Sequence, residues 1–299
     1  MTAHTPTPNS HVGAGLPRRS LLAALPLALA APWLPAHATE LQDLDKIRAS
    51  GALKVAVYKD NAPYSGGSAN EPTGLDVGLA RALARELNLQ LNLLPFDAGE
   101  KMNDDLRNMV WRGHYLGYGP ADVMLHVPVD KYLINQNRQT LIFAPYAREV
   151  LTVFHRLDKL SGIRSGDDLQ SHTLGAERGS GAASILMGYR GGMLRSQVRI
   201  FDSGIDAAQA VLKGEIEAAY VTRAQAESAL FTAKVERAAF GLTELGLPGL
   251  ADNGWPIGMA VKVENKALAL ALEAALQRLR DKGELLALFR EHGLTMVTP

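Results

Sequence analysis

The chain has 299 residues, 47% of them hydrophobic and 21% charged, a globular composition long enough for about two domains. Lys plus Arg and Asp plus Glu both total 31, so nothing in the charge balance points to nucleic acid as a partner. There is no cysteine, which excludes disulfides, thiolate metal sites and a cysteine nucleophile.

Residues 1–16 are polar and rich in Pro, Thr, Ser and Gly. Arg18 and Arg19 then precede an apolar stretch over 20–33 that ends at Ala36-His37-Ala38. Positive residues, a short apolar segment and small residues at its end make a secretory signal peptide over 1–38, with cleavage expected after Ala38. The paired arginines also permit the twin-arginine export route. A membrane anchor is the weaker reading, because Pro26 and Pro32 break the segment and no later run approaches about 18 apolar residues. The mature chain, with 29 basic and 31 acidic residues, is expected in the periplasm without stable membrane insertion.

Residues 41–50 read as a short helix stopped by Gly51, and 53–58, LKVAVY, alternate as a strand should. A loop with Pro63-Tyr64 leads to an amphipathic helix over 74–88, where Leu75, Leu79, Leu83 and Leu87 recur every four residues. Strand 89–96, helix 103–112 and strand 122–127 follow. Strand alternating with helix predicts a mostly parallel α/β sheet. Ligands in such sheets sit beyond the carboxyl ends of the strands. By that rule the aromatic stretch 111–122, which precedes a strand, belongs on the opposite face as structure or a partner surface. Residues 143–146, Phe-Ala-Pro-Tyr, lead into a second set: strands at 150–155, 173–176, 198–201 and 218–221, with helices at 182–189, 204–213 and 223–231. A last strand at 257–263 and two helices, broken at Lys282-Gly283 and stopped by Gly293, complete the chain.

The order of these pieces resembles the bacterial extracellular solute-binding proteins of family 3, the periplasmic amino-acid-binding group, as an atypical member. The resemblance rests on LKVAVY with Pro63-Tyr64, on Thr73-Gly74-Leu75-Asp76-Val77, on Ala121-Asp122 before a strand, and on Phe143-x-Pro145-Tyr146. Gly179-Ser180-Gly181, GIDAAQAVLKGEIE over 204–217 and Asp281-Lys282-Gly283 extend it along the mature chain. It implies the type II periplasmic-binding-protein fold: two α/β lobes, a ligand cleft between them and a hinge of two crossing strands. Lobe one would be 39–147 plus 253–299, and lobe two 148–252. It also implies a non-enzymatic periplasmic protein, monomeric and without a cofactor, that captures a small solute for an ABC-type uptake system and its permease.

In amino-acid binders of this family an Arg after the Ala-Asp strand pairs with the ligand carboxylate, and an Asp in lobe two takes the ammonium. Here Ile134 stands at the Arg position and Thr222 at the Asp position. Burying a zwitterion without either partner costs several kcal/mol. The expected ligand is therefore a small polar or anionic solute other than an ordinary α-amino acid. Position at strand ends makes Tyr58, Asn61, Tyr64, Asp130 and Lys131 the candidate ligand residues of lobe one. Arg178, Gly179, Ser180, Gly181, Thr222 and Arg223 are those of lobe two, where Gly-Ser-Gly before a helix offers N–H groups to an anion. Val127-Pro128 and the loop without Arg are also similar to accessory proteins of periplasmic quinoprotein dehydrogenase and cytochrome c systems, the alternative reading. No Gly-x-Ser-x-Gly elbow is present, and His114, His126, His155, His172 and His292 lack metal-ligand spacing.

Overall fold

Two five-stranded sheets, each covered by helices, form the computed structural model, which describes residues 43–68, 70–249 and 254–299. The expected signal peptide, 1–38, and the lobe boundary placed at 252–253 lie outside the described residues. The chain opens with α1 (Asp43–Ser50), β1 (Ala52–Tyr58), a small hairpin of β2 (Gly66–Gly67) and β3 (Pro72–Thr73), then α2 (Leu75–Glu86) and β4 (Gln90–Phe96). Next come α3 (Met102–Leu106), which runs on into a π-helical turn at Arg107–Trp111, β5 (Val123–Pro128), α4 (Lys131–Gln136) and β6 (Thr140–Glu149). The second sheet uses β7 (Leu151–Arg156), β8 (Leu174–Glu177), α5 (Gly181–Gly188), β9 (Val198–Phe201), α6 (Gly204–Leu212), β10 (Ala218–Thr222), α7 (Arg223–Ala233) and β11 (Phe240–Thr243). The chain then returns with β12 (Trp255–Lys262), α8 (Lys266–Asp281) and α9 (Glu284–Glu291).

The first sheet runs β4-β1-β5-β12-β6, with β4, β1 and β5 parallel and β12 antiparallel to both its neighbours. Its core follows from the leucine spacing: Leu75, Leu79 and Leu83 of α2 and Leu268, Leu272, Leu276 and Leu279 of α8 are all fully buried in one cluster. Gly74 admits the chain to α2, because at φ +116 a Cβ there would stand 2.4 Å from the Tyr64 carbonyl oxygen. The second sheet runs β11-β7-β10-β8-β9 around buried Phe154, Leu174 and Tyr220. The two sheets are joined at Val150, between β6 and β7, and again by the chain between β11 and β12.

A third connection comes from the segment after α9. The backbone N–H and hydroxyl of Thr295 both donate to Glu227 of α7, at 2.7 and 2.8 Å, and Arg148 N donates to the Val297 carbonyl at 2.9 Å. Glu227 is 3% exposed and also accepts from Arg223 Nε at 3.0 Å. Gly293 lies so close to Phe231 of α7 that a Cβ would meet its Cγ at 2.3 Å.

Three elements differ from the sequence expectation. The loop after β5 is a helix, α4, started by Asp130. The stretch around Phe143-Ala144-Pro145-Tyr146 lies inside a ten-residue strand, β6, on the sheet edge where a proline is tolerated. Strand β11 pairs with β7 and has no counterpart in the sequence reading.

Candidate functional site

A cavity of about 370 Å³ opens where the two sheets meet. Pro128 closes β5 on one side of it, Leu151 and Trp255 come from the starts of β7 and β12, and the second sheet supplies Glu177, Ser180–Ala182, Tyr220–Thr222 and Gln225. Short side-chain bonds fix the far wall. Glu177 Oε2 accepts from Gly204 N and from Gln225 Nε2, both at 2.9 Å, and Gln225 Oε1 accepts from Thr222 N at 3.0 Å. Gly204 is needed for this packing, since a Cβ there would lie 2.1 Å from Gln225 Oε1. Among the described residues that line the cavity, Glu177 is the only Asp, Glu, Lys or Arg.

A buried polar cluster adjoins the cavity at the β6–β7 crossing. Asp76, in the first turn of α2, is 0% exposed and accepts from Tyr146 Oη at 2.7 Å and from His126 Nδ1 at 3.0 Å. Tyr146 Oη in turn accepts from His126 N at 3.1 Å. Glu149, the last residue of β6, accepts from Tyr64 Oη in lobe one and from the Thr222 hydroxyl in the cavity wall. His126 reaches Asp76 because β5 is distorted: its φ is +60, that of Ala144 in β6 is +48, and the register of β12 shifts against both neighbours at this level. Such a left-handed residue inside a strand is costly and marks a side chain that has been re-aimed.

Burial and charge act against each other here. Burial pulls the His126 imidazole down, but the Asp76 carboxylate, with Glu149 beyond, holds it above its ordinary 6.5. Burial pushes Glu149 above its ordinary value, only partly offset by His126 and by the Tyr64 and Thr222 hydroxyls. The phenols of Tyr64 and Tyr146 are raised by burial and then by the carboxylates that they bond.

The candidate residues divide into several groups. Ser180, Gly181 and Thr222 line the inter-sheet cavity. Ser180 and Thr222 are also the N-caps of α5 and α7, accepting from Ala183 N at 3.1 Å and Gln225 N at 3.2 Å. Tyr64 lies in the buried cluster. Tyr58 is 9% exposed and donates to Asp105 at 2.8 Å, with burial and Asp105 both raising its phenol. Asn61 shapes the loop through its backbone, bonding Ser65 O and Tyr64 N. Asp130 caps α4 by accepting from Leu133 N at 2.9 Å, and exposed Lys131 is the first residue of that helix.

Arg178 pairs with exposed Asp202 at 3.0 Å, and Gly179, exposed at φ +72, turns the chain into α5. Arg223 is held by Glu227 at 3.0 Å and Glu244 at 2.6 Å. Neither arginine lines the cavity, so the expectation of an anionic solute loses its cation. The aromatic stretch is also re-placed: Leu116, Tyr118 and Gly119 share a cavity wall with Tyr58 and Phe96, at the carboxyl ends of β1 and β4, not at the opposite face. The chain folds back there, with Ala121 N bonding the Met109 carbonyl.

Sequence reasoning missed Glu177, Gln225 and Trp255 in the cavity, and Asp76, His126, Tyr146 and Glu149 in the cluster. Gln225 carried a signal, the Thr-x-x-Gln spacing of a capping box. Among the described residues no group of three or more His, Asp or Glu could hold a metal ion, and no helix is long and apolar enough to cross a membrane.

No family model matches the chain, and no curated protein does. Solved structures do. An ancestral cationic amino acid solute-binding protein, AncCDT-1, shares 20% identity at a TM-score of 0.64, with 84% of this chain and 99% of that one covered. It is also described as a precursor of cyclohexadienyl dehydratase. An amino acid ABC transporter substrate-binding protein from Streptococcus pneumoniae, bound to L-arginine, shares 19% at 0.59, covering 86% and 100%. A further ABC uptake transporter substrate-binding protein from that organism, with bound histidine, shares 15% at 0.59, covering 86% and 99%. The likeness shows the fold: this chain has the two-lobed α/β architecture of the type II periplasmic solute-binding proteins.

Proposed function

We propose that the chain is an exported, non-enzymatic solute-binding protein that captures a small solute between its lobes, for an ABC-type uptake system. The observation that carries this reading is the 370 Å³ cavity walled by both sheets and by the starts of both returning strands, the size range of a small-ligand site. In this fold, closure about the crossing strands would bring Pro128 and Trp255 toward Ser180 and Thr222.

The wall chemistry argues for a neutral solute, or one with a single positive group facing Glu177. An α-amino acid would leave its carboxylate without a cation, since Arg178 and Arg223 are already paired elsewhere. An unpaired buried charge of that kind costs several kcal/mol. Trp255 in the wall supplies the assay. Neutral solutes and simple amines that occupy the cavity should change its fluorescence and raise the melting temperature. Stabilisation by several degrees with millimolar arginine or glutamine would overturn the exclusion of amino acids. A second reading, an accessory partner of a periplasmic quinoprotein dehydrogenase or cytochrome c, draws support from Tyr115 and Leu116, which are 88% and 67% exposed. Capture of such an enzyme that is lost in a Tyr115→Ala, Leu116→Ala variant, with no solute response at Trp255, would favour it.

A further inference from the structure

Most of the polar side chains that line the inter-lobe cavity are engaged within the protein. Ser180 Oγ accepts from Ala183 N at 3.1 Å and donates to the Glu177 carbonyl at 2.8 Å. The Thr222 hydroxyl accepts from Gln225 N at 3.2 Å and donates to Glu149. Tyr220 Oη donates to the Leu245 carbonyl at 2.9 Å. Gln225 holds Thr222 N with its Oε1 and Glu177 with its Nε2. A hydroxyl has one proton to give, so Ser180, Thr222 and Tyr220 have spent theirs. A polyol or an anion would find no hydroxyl donor among them.

Glu177 is the exception. Its bonds from Gly204 N and Gln225 Nε2 both end on Oε2, so they hold the carboxylate in place without using Oε1. Oε1 is also open: among the described residues, the side-chain atoms sealed from solvent without a partner are Ser65 Oγ, Thr152 Oγ1 and Asn265 Oδ1. No Lys or Arg is among the described residues of the wall to neutralise it, and its chain neighbour Arg178 is paired with Asp202. Much of the remaining wall is apolar, from Pro128, Leu151, Ala182, Val221 and Trp255. An accepting carboxylate oxygen in such a wall suits a solute with one cationic donor on an apolar body.

We infer that the solute is a hydrophobic monoamine that carries no carboxylate. Its ammonium donates to Glu177 Oε1, and its apolar body lies against Leu151, Val221 and Trp255. Glu177 then sets specificity, because the ion pair separates an amine from an alcohol of the same shape. The inference rests on the reading of the inter-lobe cavity as the solute site, and narrows a neutral or singly positive solute to the latter.

Calorimetric titration of the full chain at pH 7 with phenethylamine, phenethyl alcohol and phenylalanine tests it. The alcohol replaces the ammonium by a hydroxyl, and the amino acid adds a carboxylate to the amine. Phenethylamine should bind one to one and at least about tenfold tighter than either, the size of one charge-assisted hydrogen bond. Glu177→Gln should weaken phenethylamine about tenfold and leave phenethyl alcohol unchanged, which shows that the variant keeps its cavity. Leu151→Ala should weaken the amine and the alcohol alike. The comparison of the three probes on the unaltered chain needs no variant to fold. Phenethyl alcohol or phenylalanine binding as tightly as phenethylamine overturns the inference and leaves the cavity reading standing. An amine affinity unchanged in Glu177→Gln does the same. If none of the three binds at millimolar concentration the inference also falls, and the cavity reading falls with it only when no small solute alters Trp255 fluorescence.

Discussion

Replacing Tyr146 by Phe removes one oxygen atom from the fully buried cluster, and the cost can be worked from its bonds. Tyr146 Oη donates to Asp76 at 2.7 Å and accepts from His126 N at 3.1 Å, and nothing in the core could replace it. Loss of a hydrogen bond to a carboxylate costs about 1.5–3 kcal/mol, and an orphaned buried N–H adds about 1–3 kcal/mol. His126 Nδ1 remains on Asp76, so the carboxylate keeps one donor and the total should fall in the lower half of the summed range of about 2.5–6 kcal/mol, at about 3–4 kcal/mol. For a chain of this length that is a melting shift of roughly 6–16 °C. Urea denaturation at pH 7 of Tyr146→Phe, Asp76→Asn and the double variant reads the cost directly. The double variant should be less destabilised than the sum by about 1–3 kcal/mol, because both changes break the same bond. A cost below about 1 kcal/mol for Tyr146→Phe, or strict additivity, would refute the cluster as drawn.

Stability should fall as pH rises across the range that includes the ordinary values of Glu149 and His126, 4.5 and 6.5. Both groups have folded values above those, so each favours the fold most when protonated and loses that advantage as pH rises through its folded value. The groups facing them are Asp76, Tyr64, Tyr146 and Thr222, and His126→Gln should flatten the upper part of the profile in a series of thermal melts. Gly254→Ala should be far worse than Gly51→Ala. Both residues have φ near +70, but a Cβ at Gly254 would lie 1.8 Å from the Glu149 carbonyl oxygen, whereas one at Gly51 meets nothing within 4 Å. Denaturation should show about 1 kcal/mol for the latter and at least twice that for the former. Glu227→Ala should cost about 3 kcal/mol and raise hydrogen exchange at the Thr295 amide, which loses its acceptor. Unchanged exchange there would mean that Glu227 does not hold the segment.

Periodicity made most of the fold readable. The four-residue leucine spacing of α2 and α8 is a consequence of burying one face, and it survives in the sequence unaltered, whereas β1, an interior strand, buries Leu53, Val55 and Val57 in one cluster and Ala56 and Tyr58 in another. Strand β6 was hidden by Pro145, and α4 by a sequence whose helical residues bury none of their side chains fully. The site was harder to read for a physical reason. A Ser, Thr or Asp before a helix looks the same whether it serves a ligand or caps the helix, and Asp130, Ser180 and Thr222 all cap. An arginine at the end of a strand or the start of a helix is likewise silent about its partner, and Arg178 and Arg223 are paired with Asp202 and Glu227. The buried cluster joins residues 50, 70 and 85 positions apart, separations at which no local pattern operates.

The segment that follows α9 changes what kind of movement the two lobes can make. With two crossings alone, a cleft can gape about an axis running through both. Thr295 on Glu227 fastens the segment to α7 beside the second sheet, while Val297 on Arg148 holds the same segment next to the β6–β7 crossing. A wide gape would have to break the pair of bonds at the buried Glu227 or pull the segment out from beside Phe231. A twist that carries residues 293–297 along with α7 breaks neither. The bonds at Glu227 therefore restrain opening of the two sheets more than rotation.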